Sequence, residues 1–165
     1  MRRQPGVKIT IKNLQKRIPL TAQARQAIKK AVRESCRNGL RLRKGTSGGS
    51  VTVCVVDDKA IKELNLYYLA HNEATDVITF DLSSRGRLCA DIAVSADTAA
   101  HNARLYGTTP LDELLLYCAH GMLHIFGYTD DTRPRRRIMN QKAVSILRKA
   151  FPTRIWRFIE PRHLS

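Results

Sequence analysis

The sequence predicts an α+β fold, a small mixed sheet of about four strands packed with about five helices, as one domain over residues 1–165. Apolar patterns of strand and helix period alternate along the chain without an internal repeat. A chain of 165 residues with 43% hydrophobic content suffices for one core and not comfortably for two. The one long polar, glycine-rich stretch, RLRKGTSGGS at 41–50, reads as a loop and not a domain linker, since neither side of it could fold alone.

VKITIKN at 7–13 alternates Val7, Ile9 and Ile11 with polar neighbours, the pattern of a strand with one buried face. After Pro19, Thr21 is placed to cap a helix whose apolar stripe is Ala24, Ala27, Ile28, Ala31 and Val32, with Gly39 ending it. SVTVCVVDD at 50–58 is a nearly continuous β-branched run, so a central strand buried on both faces is expected. Asp57 or Asp58 caps the next helix, KAIKELNLYYLAHN at 59–72. VITFDL at 77–82 and CADIAVS at 89–95 read as strands joined by the turn SSRGR. A helix over 95–107 ends at Gly107. The strongest helix spans 109–127, with Thr109 as cap, Pro110 in the first turn, and Asp112 and Glu113 at its positive end. A last amphipathic helix with a basic face covers 135–151.

Twenty-nine Lys and Arg against 14 Asp and Glu leave a formal charge of +15, which attracts polyanions, nucleic acid foremost. The basic residues are dispersed over 2–44 and 133–162, and no one helix gathers them opposite a broad apolar face, so a membrane partner is not expected. Neither a membrane-spanning run nor a secretory signal is read, and Cys36, Cys54, Cys89 and Cys118 form no C-x-x-C pair. They read as buried thiols of a reducing, cytoplasmic compartment.

HGMLHIFGYTDD at 120–131 carries the chemistry. On a helix, His120 and His124 project from one face about 6 Å apart along the axis, within reach of one ion. Gly127 can turn the chain back so that Asp130 supplies a third ligand; Asp131 is the alternative, and the spacing favours Asp130. Two histidines one turn apart are by themselves more often packed or exposed than metal-bound; the glycine and the carboxylate at this offset shift the balance toward a metal. The spacing matches the zinc-protease arrangement H-E-x-x-H-x-x-G-x-x-H, with Asp130 for the last histidine and Gly121 for the glutamate. One Zn²⁺ per chain is expected and no small-molecule cofactor, although Ni²⁺, Co²⁺ or Fe²⁺ suit the same donors. Without Glu at 121 the proton shuttle of peptide hydrolysis is missing. A phosphodiester asks for charge stabilisation instead, and RNA carries its own 2′-OH nucleophile. His71, His101 and His163 sit in no such frame and read as surface or loop residues.

HGMLHIFGY, taken with NLYYLAHNEATD at 65–76, ATDVITF at 74–80 and ADIAVS at 90–95, resembles the YbeY family of bacterial ribosomal RNA maturation endoribonucleases over most of the chain. The resemblance implies a zinc-dependent, single-strand-specific endoribonuclease of small-subunit rRNA 3′-end processing and ribosome quality control, with ribosomal RNA and the small ribosomal subunit as partners. It also implies three histidine ligands, of which His120 and His124 match and the third falls on Asp130. Leu69 stands where the family has Arg near the cleaved phosphate, Ala74 where it has Pro, and Ala90 where it has Gly, whereas Thr75, Asp76 and Asp91 match its cleft-lining strand ends. Asp91 and Asp76 are the candidate catalytic proton acceptors, or partners behind the metal-binding histidines; Asp76 alternatively caps a strand end. The candidates for phosphate contact in place of the missing Arg are Arg85, Arg87, Arg133, Arg135, Arg136 and Arg137, which otherwise form a solvated face. An anionic Asp in place of a neutral His makes the metal centre less positive, so a ribosome-associated RNA-binding protein on the same fold, with weak or no cleavage, stands beside the nuclease.

Overall fold

The parallel strands β1 (Val7–Asn13) and β2 (Gly49–Val56) are β-branched and apolar on one face, which is what a strand buried on that face requires. The protein is described by a computed structural model over residues 6–41, 43 and 45–156. The remaining described elements are α1 (Ala22–Gly39), α2 (Asp58–Leu69), β3 (Val77–Asp81), β4 (Leu88–Ser95), α3 (Ala96–Tyr106), α4 (Pro110–Ile125) and α5 (Arg133–Ala150). The sheet order is β1-β2-β4-β3, with β2 parallel to β1 and β4, and β3 antiparallel to β4 at the edge. This is the mixed four-stranded α+β architecture that the alternation of patterns predicts.

One face of the sheet holds the main core. Val51, Val53, Val55, Leu88, Ala90, Ile92 and Val94 pack there against α1, α4 and α5. The opposite face is covered at one end only, where Ile61 of α2 closes over Val56, Ile78 and Ala93. The expectation that β2 is buried on both faces therefore holds only at its carboxyl end, at Val56. Ser50, Thr52 and Cys54 are only half-buried, because α2 is short and starts just past the carboxyl end of the strand. The cysteines divide the same way: Cys36 and Cys118 are buried, with burial raising each thiol pKa to about 12, whereas Cys54 and Cys89 are half-buried.

Local chemistry sets the element ends. Thr21, Asp57, Ser95, Thr109 and Thr132 each accept a backbone N–H in the first turn of the helix they cap. Thr132 and Pro134 start α5 at Arg133, two residues before its apolar pattern suggests. Helix α2 stops at Leu69 and not at Asn72, because Ala70 turns left-handed at φ 58° and its N–H bonds back to the Asn65 and Leu66 carbonyls. Gly39 does not cap α1 through a left-handed turn. It is the buried last residue of the helix, and a Cβ there would sit inside the Phe126 ring. The β3–β4 turn places Arg85 and Gly86 at φ 48° and 71°, the two positive values of a tight primed hairpin turn. His71 and His101 are exposed, as expected, and His163 lies outside the described residues. Among those residues no helix is long and apolar enough to cross a membrane.

Candidate metal centre

Helix α4 is buried along almost its whole length, wedged between the sheet and its neighbouring helices. Gly121 permits this. A Cβ at that position would lie 3.0 Å from methyl groups of both Thr79 and Val77 and 3.2 Å from Ile92, so the helix lies on β3 and β4 with no side chain between. The position that holds glutamate in zinc proteases is therefore a packing contact here, and a side chain at 121 would point into the sheet. His120 and His124, one turn apart, leave that contact on a shared side with ring centroids 4.8 Å apart. His120 is fully buried and His124 partly exposed.

The chain reverses after α4. The Gly127 N–H bonds to the His124 carbonyl and the Tyr128 N–H to that of Leu123, with Gly127 at φ 92°, a value that favours glycine. This turn returns Asp130 to the histidines. Its Oδ2 lies 3.2 Å from His120 Nε2 and 3.8 Å from His124 Nε2, and one donor atom from each of the three residues falls within 4.8 Å of the others. Donors of a tetrahedral ion with bonds of about 2.1 Å lie about 3.4 Å apart, so the spacing fits a cation with little adjustment.

The hydrogen bonds favour the same outcome. His124 Nδ1 lies 3.1 Å from the Tyr128 carbonyl oxygen, which can only accept; Nδ1 therefore carries the proton and Nε2 turns its lone pair to the cluster. His120 Nδ1 is buried and has no hydrogen-bond partner among the described residues. Burial, with His120 adding to it, pushes the His124 pKa below its ordinary value. The hydrogen bond to His120 holds the Asp130 carboxyl below the usual carboxylate range. A neutral His124 imidazole beside an ionised Asp130 is the pairing of protonation states that metal binding needs.

Asp76 is buried at the start of β3, where its carboxylate accepts from the Thr75 hydroxyl and the Val77 N–H. Burial raises its pKa, and neighbouring His120 pulls it back. It thus both caps a strand end and stands next to a ligand. Asp91 does not join the site. Strand alternation turns it to the opposite face of the sheet, in register with Thr52 and Phe80, while its neighbours Ala90 and Ile92 face α4. The catalytic role expected of Asp91 is withdrawn on that geometry. Asp131 is also excluded as a ligand, being exposed and paired with Arg135 and the Thr129 hydroxyl.

The arginines separate into two places. Arg133, Arg135, Arg136 and Arg137 lie in the first turns of α5, beside the ligand loop. Arg85 and Arg87 sit in the β3–β4 turn and line a groove with Lys8 and Ser50 at the start of the parallel strands. Leu69 is exposed at the end of α2. Two supports of the centre left no trace in the sequence. One is the Tyr128 carbonyl that orients His124; the other is Arg136, whose Nε donates to the Asp130 carbonyl at 3.2 Å and ties the ligand loop to α5. Main-chain acceptors carry no residue signature, and an arginine in a basic run reads as surface charge.

The family profile described as Endoribonuclease YbeY matches residues 10–150 of this chain. A Bacteroides thetaiotaomicron protein named Endoribonuclease YbeY is 38% identical over 93 residues, covering 56% of this chain and 68% of that protein. One of the same name from Elusimicrobium minutum is 38% identical over 106 residues, covering 61% and 74%. The solution structure of a Thermotoga maritima protein superposes with a TM-score of 0.57 over 92% of this chain and 91% of that one, at 24% identity, which shows a shared fold.

Proposed function

The chain belongs to the YbeY endoribonuclease family, and from that premise we propose that it is a zinc-dependent, single-strand-specific endoribonuclease of ribosomal RNA maturation, acting on small-subunit rRNA 3′ ends in the cytoplasm. The observation that carries the reading is the convergence of His120, His124 and Asp130 on one point at metal-ligand spacing. When bound, Zn²⁺ there supplies Lewis acidity toward a phosphodiester.

The chain's own residues prepare that point. The Tyr128 carbonyl fixes the His124 tautomer, and Arg136 holds the backbone of Asp130. Asp76 places a second carboxyl group beside His120. Gly121 gives α4 its close seat on β3 and leaves no base for a peptidase mechanism. The exposed arginines of α5 offer cations for phosphates next to the ligand loop, and a charge of +15 draws RNA toward the whole surface.

A structured ribosomal RNA precursor incubated with zinc-loaded protein, the His120→Ala variant and EDTA-treated protein tests the reading: cleavage by the first alone is expected, and equal behaviour of all three sinks it. The exposed Leu69, standing where the family carries Arg, favours a second reading, a ribosome-associated RNA-binding protein with weak cleavage. On that reading Leu69→Arg raises the cleavage rate at unchanged zinc content.

A further inference from the structure

We propose that the uncovered half of the sheet's far face, with Tyr67, Tyr68 and Phe80 at its β3 edge, is a second nucleic-acid site, where aromatic rings stack on unpaired RNA bases and Lys8, Lys12, Arg85 and Arg87 take phosphates. The choice of RNA as the polyanion rests on the function proposed above.

Register builds the surface. One row across the strands is Lys8, Ser50 and Cys89, and the next is Thr10, Thr52, Asp91 and Phe80; of the third, Lys12 and Cys54 stay accessible while Ala93 and Ile78 lie buried under α2. Lysines thus stand on the β1 edge and an aromatic ring on the β3 edge, three strand spacings or about 14 Å away. The residues between are small. Asp91 is the one carboxylate among the strand residues on this face, and α2 closes only the far end. At the open end a groove of about 560 Å³ runs between Lys8, Ser50, Ser84, Arg85 and Arg87.

The aromatic side is exposed to a degree that packing does not explain. Tyr67 and Tyr68 are 81% and 57% accessible, in edge-to-face contact with each other at 4.8 Å, and Tyr68 meets Phe80 in the same way at 4.9 Å. Isolated exposed apolar residues are ordinary. Here the Tyr67, Tyr68 and Phe80 rings touch in series, so they form one cluster and not scattered single residues. Flat rings beside a cationic, small-residue floor suit bases and backbone of a single strand; a duplex hides its base faces. β3 joins this surface to the metal centre, since Val77 and Thr79 meet the α4 glycine on one side while Phe80 meets Tyr68 on the other. An RNA strand lying on the platform reaches the histidines by rounding that single edge strand.

The test is fluorescence anisotropy of EDTA-treated protein with a labelled oligouridylate and with a fully paired RNA duplex. Tyr67→Ala/Tyr68→Ala, both exposed positions, keeps its far-UV circular dichroism and loses roughly five- to hundredfold in affinity for the single strand, with duplex affinity unchanged. Lys8→Gln/Lys12→Gln flattens the salt dependence of single-strand binding. Unchanged single-strand affinity in the tyrosine variant overturns the proposal and leaves the patch as a protein-docking surface; an equal loss on the duplex overturns it as well. Metal-free binding does not depend on cleavage, so failure here is distinct from failure of the nuclease reading. His120→Ala is expected to lose zinc while keeping the platform's affinity.

Discussion

A glutamate at position 121 would have to occupy space held by Val77, Thr79 and Ile92, whose methyls already lie 3.0–3.2 Å from where a Cβ would begin. Gly121→Glu is therefore expected to unfold the protein or displace α4, read as lost thermal cooperativity, and not to create a peptidase. Asp130 is the proposed third ligand. Asp130→Asn keeps the shape but removes the ligand charge, so zinc affinity by isothermal titration should fall at least tenfold; Asp130→His restores a neutral donor and should retain zinc. The pH dependence follows from two lowered pKa values. The Asp130 pKa lies below its ordinary 3.8 in the folded chain, so its contribution is complete above that value and is lost as pH falls through the folded pKa. The His124 pKa lies below its ordinary 6.5, so below about pH 6.5 the unfolded chain binds a proton that the folded chain refuses, and stability again falls with pH. Asp76, raised by burial, works in the opposite direction. The difference in melting temperature between wild type and Asp130→Asn, both metal-free, removes the Asp76 contribution and should shrink as pH falls from 5 toward 3; a constant difference contradicts the assignment.

At the scale of elements, the site depends on how α4 ends and on what holds the loop after it. Gly39 of α1 touches Phe126, the residue at which α4 gives way to the ligand loop. Gly39→Ala forces that ring aside, and a loss of about 1–3 kcal/mol in urea unfolding is expected. Zinc affinity should fall with it, because the ring adjoins the turn that delivers Asp130. Arg136→Ala releases the Asp130 carbonyl while leaving all three donors in place. Its zinc affinity should drop more than that of Arg137→Ala, a neighbouring charge with no such bond; equal losses in the two variants would point to bulk electrostatics. Helix boundaries were legible in the sequence where a side chain made them, as at Thr21, Ser95 and Thr109. They were not legible where the main chain made them. Ala70 has no residue-type reason to turn left-handed, and it does so because Asn65 and Leu66 offer carbonyls while the Asn65 amide holds the Glu73 carbonyl.

For the molecule as a whole, charge and metal give the remaining expectations. With a net charge of +15, log affinity for RNA should fall steeply with log salt, and a flat dependence is incompatible with binding through phosphates. Zinc that binds only the folded chain stabilises it by about 2.7 kcal/mol at a hundredfold excess over the dissociation constant, and so raises the melting temperature. EDTA should reverse that gain in wild type and leave His120→Ala unmoved. The α+β class, the order of elements and the gathering of His120, His124 and Asp130 were determined by the sequence itself, because each rests on pattern within a short stretch: apolar period, capping hydroxyls, the one-turn spacing of the histidines, and the glycine turn that precedes Asp130. Only the tertiary structure decided the faces. It put Asp76 beside His120 and Asp91 on the far side, left the far face of β2 half-buried short of Val56, and made a packing surface of Gly121. Which face a strand turns to a given helix is set by the register and packing of the whole sheet, so residues that looked alike in the sequence, the aspartates Asp76 and Asp91, came to rest in different chemical worlds.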